Sequence, residues 1–474
     1  MKVLQQAKSN SFSGNAFFIF LIRFFPSLAN ALVIILFSRN LSTPAYGSYQ
    51  NFWIQLFVLN TLACLGFQSF IITYPHRFVA GIFKKLTGSH YLLLALWIVV
   101  CAAIFAGIQY AYNAISPVIP FLFLLAYALS VIAESILLSF RRFKILLGVN
   151  VAHTAVFILL HVYHLYEGWS FSMLFMALLL LAVARLLLLA VPAARAVKAE
   201  PSGHIDTAEM RKARNLWVHI GIYDVSQMLF KWIDKFIISL LLAGQLSAIY
   251  FNGSVDIPFL PLLLGAAGSA ALMQLAQVQG GNEKEQALHL INHSSRLLSS
   301  IVFPVFWFLC CYRTELFTVL LSDTYLPSVP IFVASILALP LRAYSFTTLL
   351  QNRHKGRIIN IGAILDLLLA CALMYPLYLL MGLPGVALSF VISSYLQAAY
   401  YLYHTATVLQ VKIVKLVPFA NLLVKLIVFA FLFIVIHYLS AIYFTPQIVL
   451  FSGVLLAMLM AAITLLVEYR VARK

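Results

Sequence analysis

Apolar runs of about twenty residues or more follow one another from end to end of this chain, and nothing constrains its fold more. A helix needs about 20 apolar residues to cross a bilayer. Of 474 residues, 63% are hydrophobic and only 9% charged, more apolar surface than a soluble domain can cover. The runs are continuous rather than alternating, which excludes a lipid-facing β-barrel. The sequence therefore predicts an all-α polytopic membrane protein. Fourteen spans fit, near 12–37, 48–74, 90–111, 118–139, 147–166, 170–192, 217–242, 249–276, 294–312, 327–350, 358–380, 384–405, 418–440 and 447–469.

The net charge of +17 does not mark a nucleic-acid face, because the basic residues sit in short loops between spans. One alternate set of loops holds HRFVAGIFKK, FRRFK, RHKGR, the tail YRVARK and the longest polar segment, ARAVKAEPSGHIDTAEMRKARN. The other set holds little beyond Arg39 and Arg313. The positive-inside rule then places both termini and the basic loops of this multi-pass protein in the cytoplasm. Membrane lipids, anionic headgroups included, are expected partners of the basic loops. The N-terminal run reads as an uncleaved first span. The five cysteines fall in or at the ends of spans without metal-ligand spacing, so they read as small apolar fillers. No metal or cofactor is expected.

Segment 193–216 is charged, contains Pro201-Ser202-Gly203 and separates six spans from eight. It divides an N-terminal lobe (1–192) from a C-terminal lobe (217–405), leaving an additional helix pair (406–474). Residues 206–216 admit an amphipathic surface helix. A weak repeat supports two lobes. LSTPAYGSYQ (41–50) aligns with LAGQLSAIYF (242–251) at a shift of 201, and RRFKILLGVN (141–150) with NRHKGRIINI (352–361) at a shift of 211. Six spans per repeat is an even number, so both halves run the same way. They would be related by an axis along the membrane normal, with the substrate path between them.

Charges inside spans then become the candidate site. YDVSQMLFKWIDKFIISLLL (223–242) carries Asp224, Lys231, Asp234 and Lys235. Each charge at mid-bilayer costs about 2.5–3.5 kcal/mol on insertion scales, so four facing lipid would cost on the order of 10 kcal/mol. At about 100° per residue, Asp224, Lys231 and Lys235 share one stripe, with Asp234 within reach of Lys231. Arg23, Ser27 and Asn30 form a second stripe on the first span. Glu134, Asp256, Arg342 and Asp366 are further intramembrane charges, several beside prolines, which free backbone carbonyls where a helix lines a cavity. The cations Arg23, Lys231, Lys235 and Arg342, with Asn30, suit an anionic group such as a phosphate. Asp224, Asp234, Asp256, Glu134 and Asp366 would pair with cations or couple the movement. The alternative for any one of them is an ion pair that locks helices together. His153, His161 and His164 read first as packing or hydrogen-bonding residues and second as a proton relay.

Several stretches resemble the polysaccharide flippases of the multidrug/oligosaccharidyl-lipid/polysaccharide exporter superfamily: LFSRNLSTPAYGSYQNF, WIDKFIISLLLAGQLSAIY, ELFTVLLSDTYLPSVPIF and GLPGVALSFVISSYLQAAYYLYH. The resemblance implies two six-helix lobes around a central cavity and alternating access. It implies an undecaprenyl-diphosphate-linked oligosaccharide as cargo, flipped from the cytoplasmic to the periplasmic leaflet, with other polysaccharide-assembly proteins as further partners. The last two spans resemble the extra pair of the lipid II flippase branch, without that branch's own motifs. A multidrug/cation antiporter of the same superfamily would want acids in the first lobe, where Glu134 stands alone. A membrane glycosyltransferase or polymerase would want a large external loop, which the sequence lacks. The protein is therefore expected not to be an enzyme.

Overall fold

The computed structural model describes residues 2–113, 115–201, 206–254, 283–353 and 355–472. Among the described residues it is all helix, and eleven helices are long and apolar enough to cross a membrane. These eleven coincide with expected spans one, three to six and nine to fourteen. The count of fourteen is not reached, and the reason differs for each missing span. Span two is the 22-residue helix Thr43–Cys64 and span seven lies within the 35-residue helix Thr207–Leu241. Both are long enough to cross; glutamine, asparagine and serine in the first and charges in the second separate them from the apolar class. Most of span eight lies outside the described residues.

Two compact units divide at Ser247/Ala248, one helix later than the boundary at 193–216. The first unit contains α1 (Lys2–Asn40), α2 (Thr43–Cys64), α3 (Phe67–Thr73), α4 (His76–Lys85), α5 (Gly88–Asn113), α6 (Val118–Ser139), α7 (Phe143–Glu167), α8 (Phe171–Ala199) and α9 (Thr207–Leu241). Segment 206–216 is not a separate surface helix: α9 begins at Thr207 and continues into the span. A helix α10 (Gly244–Ser254) crosses the division. The second unit contains α11 (Glu283–Cys311), the short α12 (Val329–Ile336), α13 (Gly356–Met381), α14 (Leu383–Leu409), α15 (Phe419–Tyr443) and α16 (Pro446–Ala472).

In the first unit, α6 packs on α8, α1 on α7, and α2 on α9. The α2–α9 contact brings together the two polar-rich spans, so each buries its polar residues against the other. Gln109 of α5 donates to Gln55 at 2.6 Å, and Gln55 donates to Ser239 of α9 at 3.0 Å. Glycines let the backbones meet at both ends. A Cβ on Gly47 would lie 1.8 Å from the Gly244 carbonyl oxygen, and one on Gly66 would lie 2.6 Å from the Gly221 Cα. Gly66 also has φ +69°, and Leu65 before it has φ 44°, so the chain turns sharply from α2 into α3. Trp217 of α9 caps that turn, donating to the Leu65 carbonyl at 3.0 Å. The starts of α2 and α10, Thr43 and Gly244, are separated by the same 201 residues as the sequence repeat, and the two starts touch.

In the second unit, α13 packs along α14, and α11 receives both α15 and α16. The Gly362 backbone approaches the Tyr401 ring, whose hydroxyl donates to the Ile359 carbonyl at 2.8 Å. The additional pair, α15 and α16, is thereby seated on α11 within the same unit.

Candidate functional site

The charged stripe on α9 is partly buried, and Lys235 pairs with Asp234 of the same helix. Lys235 Nζ lies 3.1 Å from Asp234 Oδ2, with Asp234 Oδ1 and the Lys231 carbonyl each at 3.4 Å. Both side chains are buried, while Lys231 is exposed. The Lys231 and Lys235 ammonium groups lie 5.4 and 5.9 Å from the Trp232 ring, a cation–π distance, and Trp232 packs on Phe57 of α2. The sequence spacing suggests Lys231 as the partner of Asp234; the structure adds Lys235, the next residue. Asp224 is half-buried beside the α2–α3 turn, its Cβ facing Gly66.

A second assembly surrounds Glu134. Pro26 in α1 has no N–H, so the carbonyl of Ile22, four residues earlier, loses its helical donor. Asn150 of α7 supplies one, its Nδ2 donating to the Ile22 oxygen at 3.3 Å. Asn150 Oδ1 in turn accepts from Arg185 Nη2 of α8 at 3.2 Å, and the same Nη2 reaches Glu134 Oε2 of α6 at 2.6 Å. A proline-opened carbonyl, an amide, a guanidinium and a carboxylate thus tie four helices. Glu134 forms an ion pair with Arg185. Arg185 did not emerge from the sequence, although a lone arginine in LAVARLLLL was a signal of a buried partner.

Arg23 and Asn30 are exposed on α1, and Asn30 borders a cavity of about 80 Å³ that Arg185 also lines. In the second unit, Arg342 is exposed on a 3₁₀ turn, Leu339–Ala343. Asp366 is buried on α13 and its Oδ1 has no hydrogen-bond partner; Ser393 and Arg342 are the polar groups acting on it. Asp256 lies outside the described residues. The structure therefore brings Asp234 to Lys235, Glu134 to Arg185 and Asp366 towards Arg342. No group of three or more metal-ligating side chains occurs among the described residues.

The span-five histidines divide. The Phe157 carbonyl can only accept, so His161 Nδ1 donates to it at 2.6 Å, and Nε2 then accepts from the Tyr49 hydroxyl at 2.7 Å. Both ring nitrogens are satisfied inside an aromatic nest with Phe37, which also packs on His164. That is the hydrogen-bonding role, tying α7 to α2. His153 instead lines the cavity.

A third assembly was missed in the sequence. Lys425 of α15 contacts Glu468 Oε1 of α16 at 2.9 Å, the Arg296 carbonyl at 2.7 Å, Ser300 Oγ at 2.9 Å and Ser299 Oγ at 3.1 Å. Asn421 donates to the same Glu468 oxygen at 3.1 Å. Lys425 is a lone charge in the apolar run LLVKLIVFAF, and only its convergence with Glu468 gives it meaning.

Comparison with known proteins fits this architecture. The chain aligns with the solved "Lipid II flippase MurJ, inward closed conformation" at 16% identity and TM-score 0.67, over 96% of this chain and 99% of that one. It aligns with the "Inward-facing conformation of a multidrug resistance MATE family transporter of the MOP superfamily" at 14% identity and TM-score 0.55, over 81% and 94%, and with "MATE in the straight conformation" at 14% and 0.52, over 83% and 94%. At these identities the likeness is one of fold. No functionally curated protein matches. The family model described as polysaccharide biosynthesis protein matches residues 36–330, more than half of the sequence, and the chain belongs to that family.

Proposed function

We propose that this protein flips undecaprenyl-diphosphate-linked oligosaccharide from the cytoplasmic to the periplasmic leaflet of the bacterial inner membrane, for surface polysaccharide assembly. The observation that carries the reading is the Lys235–Asp234 pair, buried on α9 in a family of polysaccharide biosynthesis proteins. Among the described residues, every hydrogen-bond partner of the Lys235 ammonium belongs to its own helix, at 3.1–3.4 Å. A diphosphate can therefore take that ammonium without parting two helices, and Asp234 can reclaim it on release. Lys231, Arg23, Asn30 and Arg342 are the further cargo contacts. Asp224, Asp256 and Asp366 keep the pairing or coupling role, and Glu134 acts by holding Arg185. The repeats 1–192 and 217–405 are the bodies that move.

Proteoliposomes loaded with undecaprenyl diphosphate carrying a fluorescent oligosaccharide test this. Wild type should bring the label to the opposite leaflet, and Lys235→Ala should reduce the rate at least tenfold. Equal rates for Lys235→Ala and wild type would remove the lysine from the mechanism, and no wild-type movement would remove the function. A second cargo, lipid II, is favoured by one observation. The fold likeness to the lipid II flippase covers 96% of this chain, including the additional helix pair, against 81–83% for the multidrug transporters. The same vesicles loaded with lipid II decide between the cargos by their relative rates.

A further inference from the structure

Span ten is broken in its middle. The helix α12 ends at Ile336, a 3₁₀ turn follows over Leu339–Ala343, Tyr344 is extended, and α-helix resumes only at Thr348–Asn352. Non-helical backbone at membrane depth persists only where it is buried in protein or lines water. Leu339 and Ala343 are buried, and the turn packs on α11. Arg342, between them, is exposed.

The local sequence does not demand so long a break. Apart from Pro340, Leu337–Ala343 consists of Leu, Ala and Arg, which are among the best helix formers. The Pro340 ring would meet the Ile336 carbonyl in a continuous α-helix, and it removes that carbonyl's donor. Two hydroxyls from other helices brace the ends of the break. Tyr395 of α14 donates to the Leu337 carbonyl at 3.1 Å, and Ser295 of α11 donates to the Ala343 carbonyl at 2.9 Å. A helix-forming sequence kept out of the α-form by one proline and two single hydrogen bonds has a second conformation close at hand. Stretches of 3₁₀ in mid-helix often mark hinges for this reason.

We infer that this break is a hinge that carries Arg342 onto and off the cargo diphosphate, with Pro340, Tyr395 and Ser295 as its positioning residues. The inference rests on the flippase reading for the diphosphate, and on span ten alone for the hinge. From Leu339 to Arg342 a 3₁₀ turn advances about 360° and about 6 Å, and an α-turn about 300° and about 4.5 Å. Exchange between the two therefore turns Arg342 by about 60° and shifts it by about 1.5 Å. Arg342 is also the cation that acts on the buried Asp366 of α13. One position of the hinge holds the guanidinium towards that carboxylate, and the other turns it to the cargo.

The test measures a distance across the break in the full-length protein in lipid nanodiscs. Spin labels on Pro330→Cys and Gln351→Cys flank it, in a cysteine-free background that keeps the wild-type thermal transition. The distance should have two populations, and undecaprenyl diphosphate should change their ratio at least threefold. Pro340→Ala should leave only the shorter distance, because an α-turn rises less per residue than a 3₁₀ turn. A single distance that the lipid does not move, before any substitution at Pro340, overturns the hinge. In the vesicle assay, Pro340→Ala should flip at least tenfold more slowly with the half-saturating cargo concentration little changed. Pro340→Gly, which disfavours helix as proline does, should stay within threefold of wild type. A proline with only a structural role predicts the opposite order, since glycine destabilises a helix more than alanine. Pro340→Ala flipping as fast as wild type likewise overturns the hinge. Failure of the wild type to flip, with two distances that respond to undecaprenyl diphosphate, removes the transport reading and leaves the hinge standing; flipping with one fixed distance does the reverse.

Discussion

Two buried lysine–carboxylate pairs, one in each unit, are alike in chemistry and depth but differ in construction. The side chains of Lys235 and Asp234 are 10% and 7% exposed, and those of Lys425 and Glu468 are 11% and 7%. Lys235 pairs with its sequence neighbour Asp234 at 3.1 Å. Lys425 joins two helices to a third through four acceptors at 2.7–3.1 Å, more than its three N–H groups require. Pro304 deepens the contrast. It frees the Ser300 carbonyl from its helical donor, and Thr464 of α16 approaches that oxygen at 3.4 Å. The second pair is built as a rivet for α11, α15 and α16. In the first, the Lys235 ammonium can leave without separating helices, because its partners among the described residues lie on α9. Burial alone does not distinguish a structural charge from a working one; the origin of the partners does.

The largest expected effect lies at the rivet. Lys425→Ala removes the cation from the buried Glu468, which Asn421 alone then serves. Breaking a buried pair from one side costs about 3–5 kcal/mol. The thermal transition of the purified protein should fall steeply, and membrane levels with it. Glu468→Ala should do the same, while the double variant Lys425→Met/Glu468→Leu should recover most of the loss. A Lys425→Ala protein as stable as wild type would break the comparison.

Next come the glycines that bracket Lys235. Gly66→Ala adds a Cβ at φ +69° and 2.6 Å from the Gly221 backbone, so it should cost more than about 1 kcal/mol. Gly148→Ala, on a helix with open space around it, should be neutral or stabilising by up to about 1 kcal/mol. A cysteine placed at Ala45 should become more reactive towards a water-soluble maleimide in Gly47→Val, because that Cβ cannot coexist with the Gly244 carbonyl 1.8 Å away. Unchanged labelling would mean that the α2–α10 contact does not hold the turn shut.

The apolar runs made the helices legible, and eleven spans stand where hydropathy places them. Spans two and seven were legible as helices but not as mutual partners. Gln55, Ser239 and Gln109 have no periodic signature, and their meaning comes from three helices meeting. The same holds for the site. Asp234 and Lys235 are visible as charges in an apolar run, whereas Arg185 and Lys425 look like isolated exceptions until Glu134 and Glu468 face them. The boundary at 193–216 follows charge and composition; the compact units follow packing, and α9 packs on α2.

At Lys235 the effects should separate. Lys235→Ala should shift the thermal transition less than Lys425→Ala, because both leave a buried carboxylate without its lysine but only Lys425→Ala also takes a donor from a neighbouring helix, yet it should stop glycan export in a flippase-deficient strain at matched membrane levels. If Lys235→Ala unfolds the protein as Lys425→Ala does, the two pairs are the same device and the clamp has no support.

The smallest effect is expected at the exposed pair that resembles both on paper. Arg77 Nε lies 3.4 Å from Glu200 Oε1 and His76 Nε2 lies 3.3 Å from the same oxygen, yet the Arg77 side chain is 73% exposed. Water solvates both charges at almost every stage of folding, so little is gained by pairing them and little is lost by parting them. Exposed pairs contribute about 0.2–1 kcal/mol and are weakened by salt. Lys84 also donates to the Glu200 backbone carbonyl at 2.7 Å, which holds the α4–α8 junction independently of Arg77. Arg77→Ala should therefore leave the thermal transition within about a degree or two of wild type, and raising the salt should erase even that difference. A drop approaching that of Lys425→Ala would show that exposure, as well as partner origin, fails to sort the charges of this protein.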